Sequence, residues 1–119
     1  MALSVTPQAS PLAARLVVED AATATVRANV TGGAGTISMV EVDNPNATPV
    51  WLKLFDNANP TLGTTAADWV LKIAGSTRRA IPAPAGLAFT ALSFAVTNTA
   101  PEASVAAPPA TVIVRIATT

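Results

Sequence analysis

The acidic residues Glu19, Asp20, Glu41, Asp43, Asp56 and Asp68 are the side chains of this chain with the most obvious chemical potential. Two carboxylates held a few ångströms apart can hydrolyse a glycosidic bond, one as acid and the other as nucleophile or base. Here they fall at strand ends and turns, where Asp ordinarily serves the backbone, and the chain is read as having no enzymatic activity. Asp43-Asn44-Asn46 and Asp56-Asn57-Asn59 supply oxygen atoms of the kind calcium takes. Neither cluster has the spaced loop closed by a distal bidentate Glu, so turn capping is preferred to a metal site. No cofactor is expected.

The serines and threonines lack a base, since the chain has no histidine, and no G-x-S-x-G elbow is present. Gly32-Gly33-Ala34-Gly35 is not followed by Lys-Ser/Thr and opens onto β-branched sequence, which makes it a turn and not a phosphate loop. Arg78-Arg79 is an isolated basic pair without interleaved aromatics, a poor nucleic-acid site. It reads as an exposed strand with one Arg paired to a carboxylate, or as a contact to an acidic partner surface. Trp51, Phe55 and Trp69 could form a platform for sugar, but their spacing suits burial on strands.

The elements that must position these residues are bounded by composition. The 119 residues include 50% hydrophobic and 12% charged side chains, with 7 basic against 7 acidic groups and a formal net charge of +0. That length suits one domain. The chain is too apolar for disorder and too neutral for phosphate-driven nucleic-acid binding. Cys and His are both absent, which excludes disulfides, zinc fingers and imidazole catalysis. No segment approaches the roughly 18 apolar residues of a membrane span, and Met1 to Pro11 lacks the basic start of a signal peptide. The chain is expected to be made in a host cytoplasm. Near-zero net charge favours association, so a homo-oligomer is expected.

Period-two alternation recurs along the chain and sustained helical spacing does not. Ala22 to Thr31 alternates small apolar with polar residues and reads as a strand, paired as a hairpin with Thr36 to Asp43 across the glycine turn. Ala14 to Glu19 reads as a strand before it. Val50 to Asp56 carries large apolar groups on both faces, which marks a central strand or one that faces a partner. Trp69 to Ala74, Arg78 to Pro82, Leu87 to Thr90, Leu92 to Asn98 and Thr111 to Ala117 complete the pattern, with a turn at Gly75-Ser76. The prolines after Arg79 suggest a sheet edge. About eight short strands separated by Gly, Pro and Asn turns predict an all-β, single antiparallel β-sandwich or jelly roll over residues 14–119, preceded by an N-terminal arm over 1–13. Ala100 to Ala110, rich in Ala and Pro, reads as a second flexible arm or loop.

From Thr36 to Thr99 the chain runs through V-E-V-D-N, P-V-W-L-K-L-F-D, N-P-T-L-G-T-T, D-W-V-L-K-I, G-L-A-F and L-S-F-A-V-T-N-T-A. This stretch resembles small β-sandwich virion proteins of tailed bacteriophages, including capsid decoration or cement proteins. The resemblance covers a little over half of the chain and brings no catalytic residue with it. It implies a structural protein on the capsid surface that binds the major capsid protein or other virion subunits. It also implies a small homo-oligomer, with a trimer favoured over a dimer because such proteins often occupy three-fold or quasi-three-fold sites. A tail, neck or fibre-base component and a carbohydrate-binding module are the alternatives. Expected partner contacts are Leu3, Val5 and Gln8 in the arm, Asn44 and Asn46 in the first turn, the Arg78-Arg79 pair, and Pro108 in the Ala/Pro segment.

Overall fold

The computed structural model describes residues 3–7, 15–101 and 103–119. Eight strands are formed: β1 (Leu3–Pro7), β2 (Arg15–Ala22), β3 (Gly35–Asn44), β4 (Val50–Asp56), β5 (Trp69–Ile73), β6 (Thr77–Phe89), β7 (Leu92–Thr97) and β8 (Val112–Thr118). They build two antiparallel sheets, one of five strands in the order β1-β2-β8-β3-β6 and one of three in the order β5-β4-β7. The chain is an all-β sandwich, as the turn spacing predicts.

Alternation decides which residues meet between the sheets. Val50, Leu52 and Leu54 of β4 face Val112, Val114 and Ile116 of β8 and their neighbours in one buried cluster. In β3 the inward residues are Ile37, Val40 and Val42, and the three-residue step between the first two is made good by a bulge at the Ile37/Met39 register shift. Without that extra residue, one half of β3 would turn its apolar side chains to solvent.

Residues 22–31 do not form the regular strand that their alternation suggests. They run beside β7: Val96 donates to the Thr23 carbonyl at 2.9 Å, Arg27 and Phe94 exchange bonds of 2.9 and 3.0 Å, and Val30 donates to Leu92 at 2.8 Å. Along this line the segment advances four and then three residues for every two of β7, so the surplus bulges out and no ladder forms. Nor is there a hairpin with β3, whose neighbours are β8 and β6. With this ragged segment beside β7, the sheets read β2-β8-β3-β6 and 23–30-β7-β4-β5, the eight places of a jelly roll. The ninth element, β1, lies outside that plan at the edge next to β2.

Two expected short strands, Arg78 to Pro82 and Leu87 to Thr90, belong to one thirteen-residue strand, β6. Pro82 and Pro84 are accommodated because β6 is a sheet edge, where a missing N–H breaks no ladder bond. Within the expected arm, Leu3–Pro7 is β1, paired antiparallel to β2 from Leu3↔Glu19 to Pro7↔Arg15. Residues 8–13 of the arm, Gln8 among them, lie outside the described residues.

Candidate functional site

At one pole of the sandwich the β3–β4 turn is knotted by two asparagines. Asn44 Nδ2 donates to the carbonyls of Thr48 and Ala74, each at 3.0 Å, and Asn44 Oδ1 accepts from the backbone and side chain of Asn46. Asn46 in turn forms a pair of bonds with the backbone of Ala110, 3.0 Å from its Nδ2 and 2.6 Å to its Oδ1. Both residues are buried. The expectation that they contact a partner is therefore corrected: their amides close three loops upon each other. The loops approach so closely that a Cβ on Gly75 would stand 2.2 Å from the Ala47 carbonyl oxygen. Pro108 is also buried and offers no contact surface.

The opposite pole is organised by Asp56. Its Oδ1 accepts from the backbone N–H groups of Thr90 at 2.7 Å and Ala91 at 3.1 Å and from the Thr90 hydroxyl at 3.0 Å. These donors, the Ala91 N–H first, hold the carboxyl below its ordinary range. The bonds fix the corner at which the chain leaves β6 in one sheet for β7 in the other. Asn57 Oδ1 accepts from the Asn59 N–H at 2.8 Å, and Asp68 Oδ2 from the Asp56 N–H at 2.7 Å. The Asn44, Asp56 and Asn57 side-chain oxygens, weighed as calcium ligands, thus accept from turn N–H groups.

Glu19 and Glu41 have equally structural partners. Glu19, fully buried, holds Arg27 Nε at 2.6 Å, and its other oxygen accepts from the Ala21 N–H at 3.1 Å. Glu41 receives Arg78 from β6 at 2.6 Å and Arg115 from β8 at 3.0 Å. Arg78 is the exposed, paired arginine that the sequence suggests. Its neighbour points to the opposite face, where Arg79 Nη1 donates to the Lys72 carbonyl of β5 at 3.3 Å and ties the open side of the sandwich.

The middle of the outer face of the three-stranded sheet, around Lys53, is covered by the Ala/Pro segment, while Val70 on β5 stays exposed. Lys53, on the side of β4 opposite to Leu52 and Leu54, is buried beneath it and donates to the carbonyl of Pro101 at 2.7 Å and to that of Ser104 at 3.5 Å. The described part of 98–110 is a strap with internal bonds from Asn98 N–H to Ala106 and from Ser104 N–H to Pro101. Gly63 has φ +90°, and a Cβ there would meet Val105 Cγ1 at 2.7 Å, so the 57–65 loop fits this strap through a residue without a side chain. The apolar outer face of β4, with Phe55 only 1% exposed, is thus covered by the chain itself. Nothing in the sequence around Lys53 announces this, because its acceptors lie 48 and 51 residues away. Trp69 packs on the core, while the half-buried Trp51 carries the Lys72 ammonium 5.7 Å from its ring centroid, over one face of the indole.

Two apolar surfaces of the five-stranded sheet face outward, and among the described residues Val70 of β5 and Val105 of the strap are exposed as well. On the five-stranded sheet, Leu16, Ala117, Met39 and Pro82 stand in register across four strands as an apolar row, beside the neutralised row of Arg115 and Glu41. At the edge, Leu3 and Val5 are 39% and 38% exposed. They share a face with Glu19 and Val17, their register partners, yet are exposed where those partners are fully buried. Comparison with known proteins finds no matching family, characterised relative or solved structure.

Proposed function

We propose that the chain is a structural subunit of a tailed-bacteriophage virion, docked on the outer capsid shell as a small homo-oligomer that cements the major capsid protein. The observation that carries this reading is the division of labour among side chains. Glu19, Glu41, Asp56, Asn44, Asn46 and Lys53 all bond to the chain's own framework. The apolar row and the edge strand lie outside that framework, and an open sheet face of this kind suits a neighbouring subunit better than a small molecule.

Jelly rolls recur in viral capsid and in lectin domains, and a fold does not by itself choose between them. The Lys72 ammonium over Trp51 favours the first, as does the resemblance of Thr36 to Thr99 to virion proteins. A tail or neck position is the second structural reading. Purified protein added to isolated shells that lack it is expected to co-sediment to a saturating ratio and to raise the temperature at which they rupture. Binding to a glycan array without binding to shells would replace this reading with a carbohydrate module.

A further inference from the structure

We infer that β1 is an assembly strand, whose free edge pairs antiparallel with β1 of a second copy about a two-fold axis and joins the two five-stranded sheets into one. The jelly roll is complete without β1, which pairs only with β2 and ends the sheet order. An edge strand presents unpaired N–H and C=O groups, and the group that satisfies such a row is another extended backbone. The other borders of the sandwich are already managed. β6 carries Pro82 and Pro84 and is charged at Arg78 and Arg79. The Lys72 carbonyl of β5 is taken by Arg79, and β7 is lined by residues 23–30.

The strand L-S-V-T-P has no charge and no proline before its last position. Within the described residues it is the one edge built without a device against pairing.

The occupant is a second copy because the same unguarded edge exists on every copy and an isologous pairing closes both at once. Charge agrees: β1 is uncharged and the whole chain has net charge +0, so two copies approach without repulsion. Leu3 and Val5, exposed at that edge, then meet their counterparts at cross-strand distance, about 5 Å. A two-fold closure makes the unit in solution a dimer, in place of the three-fold unit that the resemblance implies. This goes beyond the shell reading, since it requires no shell, and purified protein alone tests it.

The chain has no cysteine, so a single introduced one reports its own neighbours. Light scattering on the full chain is expected to give twice the 12.0 kDa chain mass. Under mild oxidation Val5→Cys is expected to link into a covalent dimer at least tenfold faster than Val70→Cys, placed on the edge of β5. Val5→Lys, a charged guard on the strand, is expected to weaken the dimer at least tenfold with an unchanged unfolding midpoint. A monomer or trimer at hundreds of micromolar overturns the proposal. So does a dimer that persists in Val5→Lys, or one in which Val5→Cys links no faster than Val70→Cys, because contacts elsewhere then hold it.

Discussion

Asp56 shows how one side chain can hold a corner of the fold and leave a mark on its pH dependence. Three donors from Thr90 and Ala91 converge on one oxygen, and the folded carboxyl is the stronger acid for it. A group whose folded pKa lies below its unfolded value, about 3.9 for Asp, contributes stability that is fully present above the unfolded value. That contribution is lost as the pH falls through the folded one. Denaturant unfolding across an acid series is expected to show a steeper fall for the native chain than for Asp56→Asn, whose amide does not titrate. Equal slopes would mean that Asp56 is no tighter an acid folded than unfolded. Lys53 makes a complementary case, in which a charged group is buried to fasten a loop. Lys53→Ala removes the donor to Pro101 and empties space under the strap, and a loss of about 2–4 kcal/mol is expected from an unmade buried bond together with a cavity. Hydrogen exchange should accelerate first at the Asn98 and Ser104 amides, which close the strap. An unchanged pattern there would separate Lys53 from the strap.

At the scale of elements, the strength of the sandwich lies in the inward rows and not in its surface charges. Leu54→Ala is expected to destabilise by about 2–5 kcal/mol, since the side chain is fully buried between the sheets. Arg79→Ala, which removes one long bond from an exposed guanidinium, should change stability by less than about 1 kcal/mol. Urea denaturation of both variants checks the pair, and equal effects would misplace the core. The inward rows were also the part most open to reading from sequence. Val50 to Asp56 coincides with β4 because a short apolar run between two turns is what a strand buried on both faces looks like, and the central place inferred from its two apolar faces is the place it holds. Alternation misleads at Ala22 to Thr31, where small side chains repeat at the right period but bury too little to pin a register. Leu3 to Thr6 of β1 do alternate, but the prolines at 7 and 11 make the stretch read as an arm, and the continuity of β6 is hidden because a proline breaks a ladder only where a neighbour needs its N–H. Asn44, Asn46 and Pro108 look like exposed turn residues in the sequence. Their burial depends on loops that meet from positions 30 and 64 residues apart, a distance no local pattern spans.

As a whole the molecule measures 36 × 28 × 27 Å and is closed on most sides by its own loops. The strap covers the outer face of β4, and the asparagine and Asp56 knots seal the two poles. The outer face of the five-stranded sheet and its β1 edge stay open. A body of this size offers limited contact area against the roughly 1,200–2,000 Å² of a stable specific interface. Two surfaces, the edge toward a second copy and the face toward a shell, let one small body make two separate contacts. Imaging of intact virions at a resolution that separates the two sheets tests the central claim most directly. The account predicts a compact jelly roll on the outside of the capsid, repeated at the symmetry of the shell, with the row of Leu16, Ala117, Met39 and Pro82 against the major capsid protein. A shell that carries no such body, or a chain found only in the tail, would contradict it.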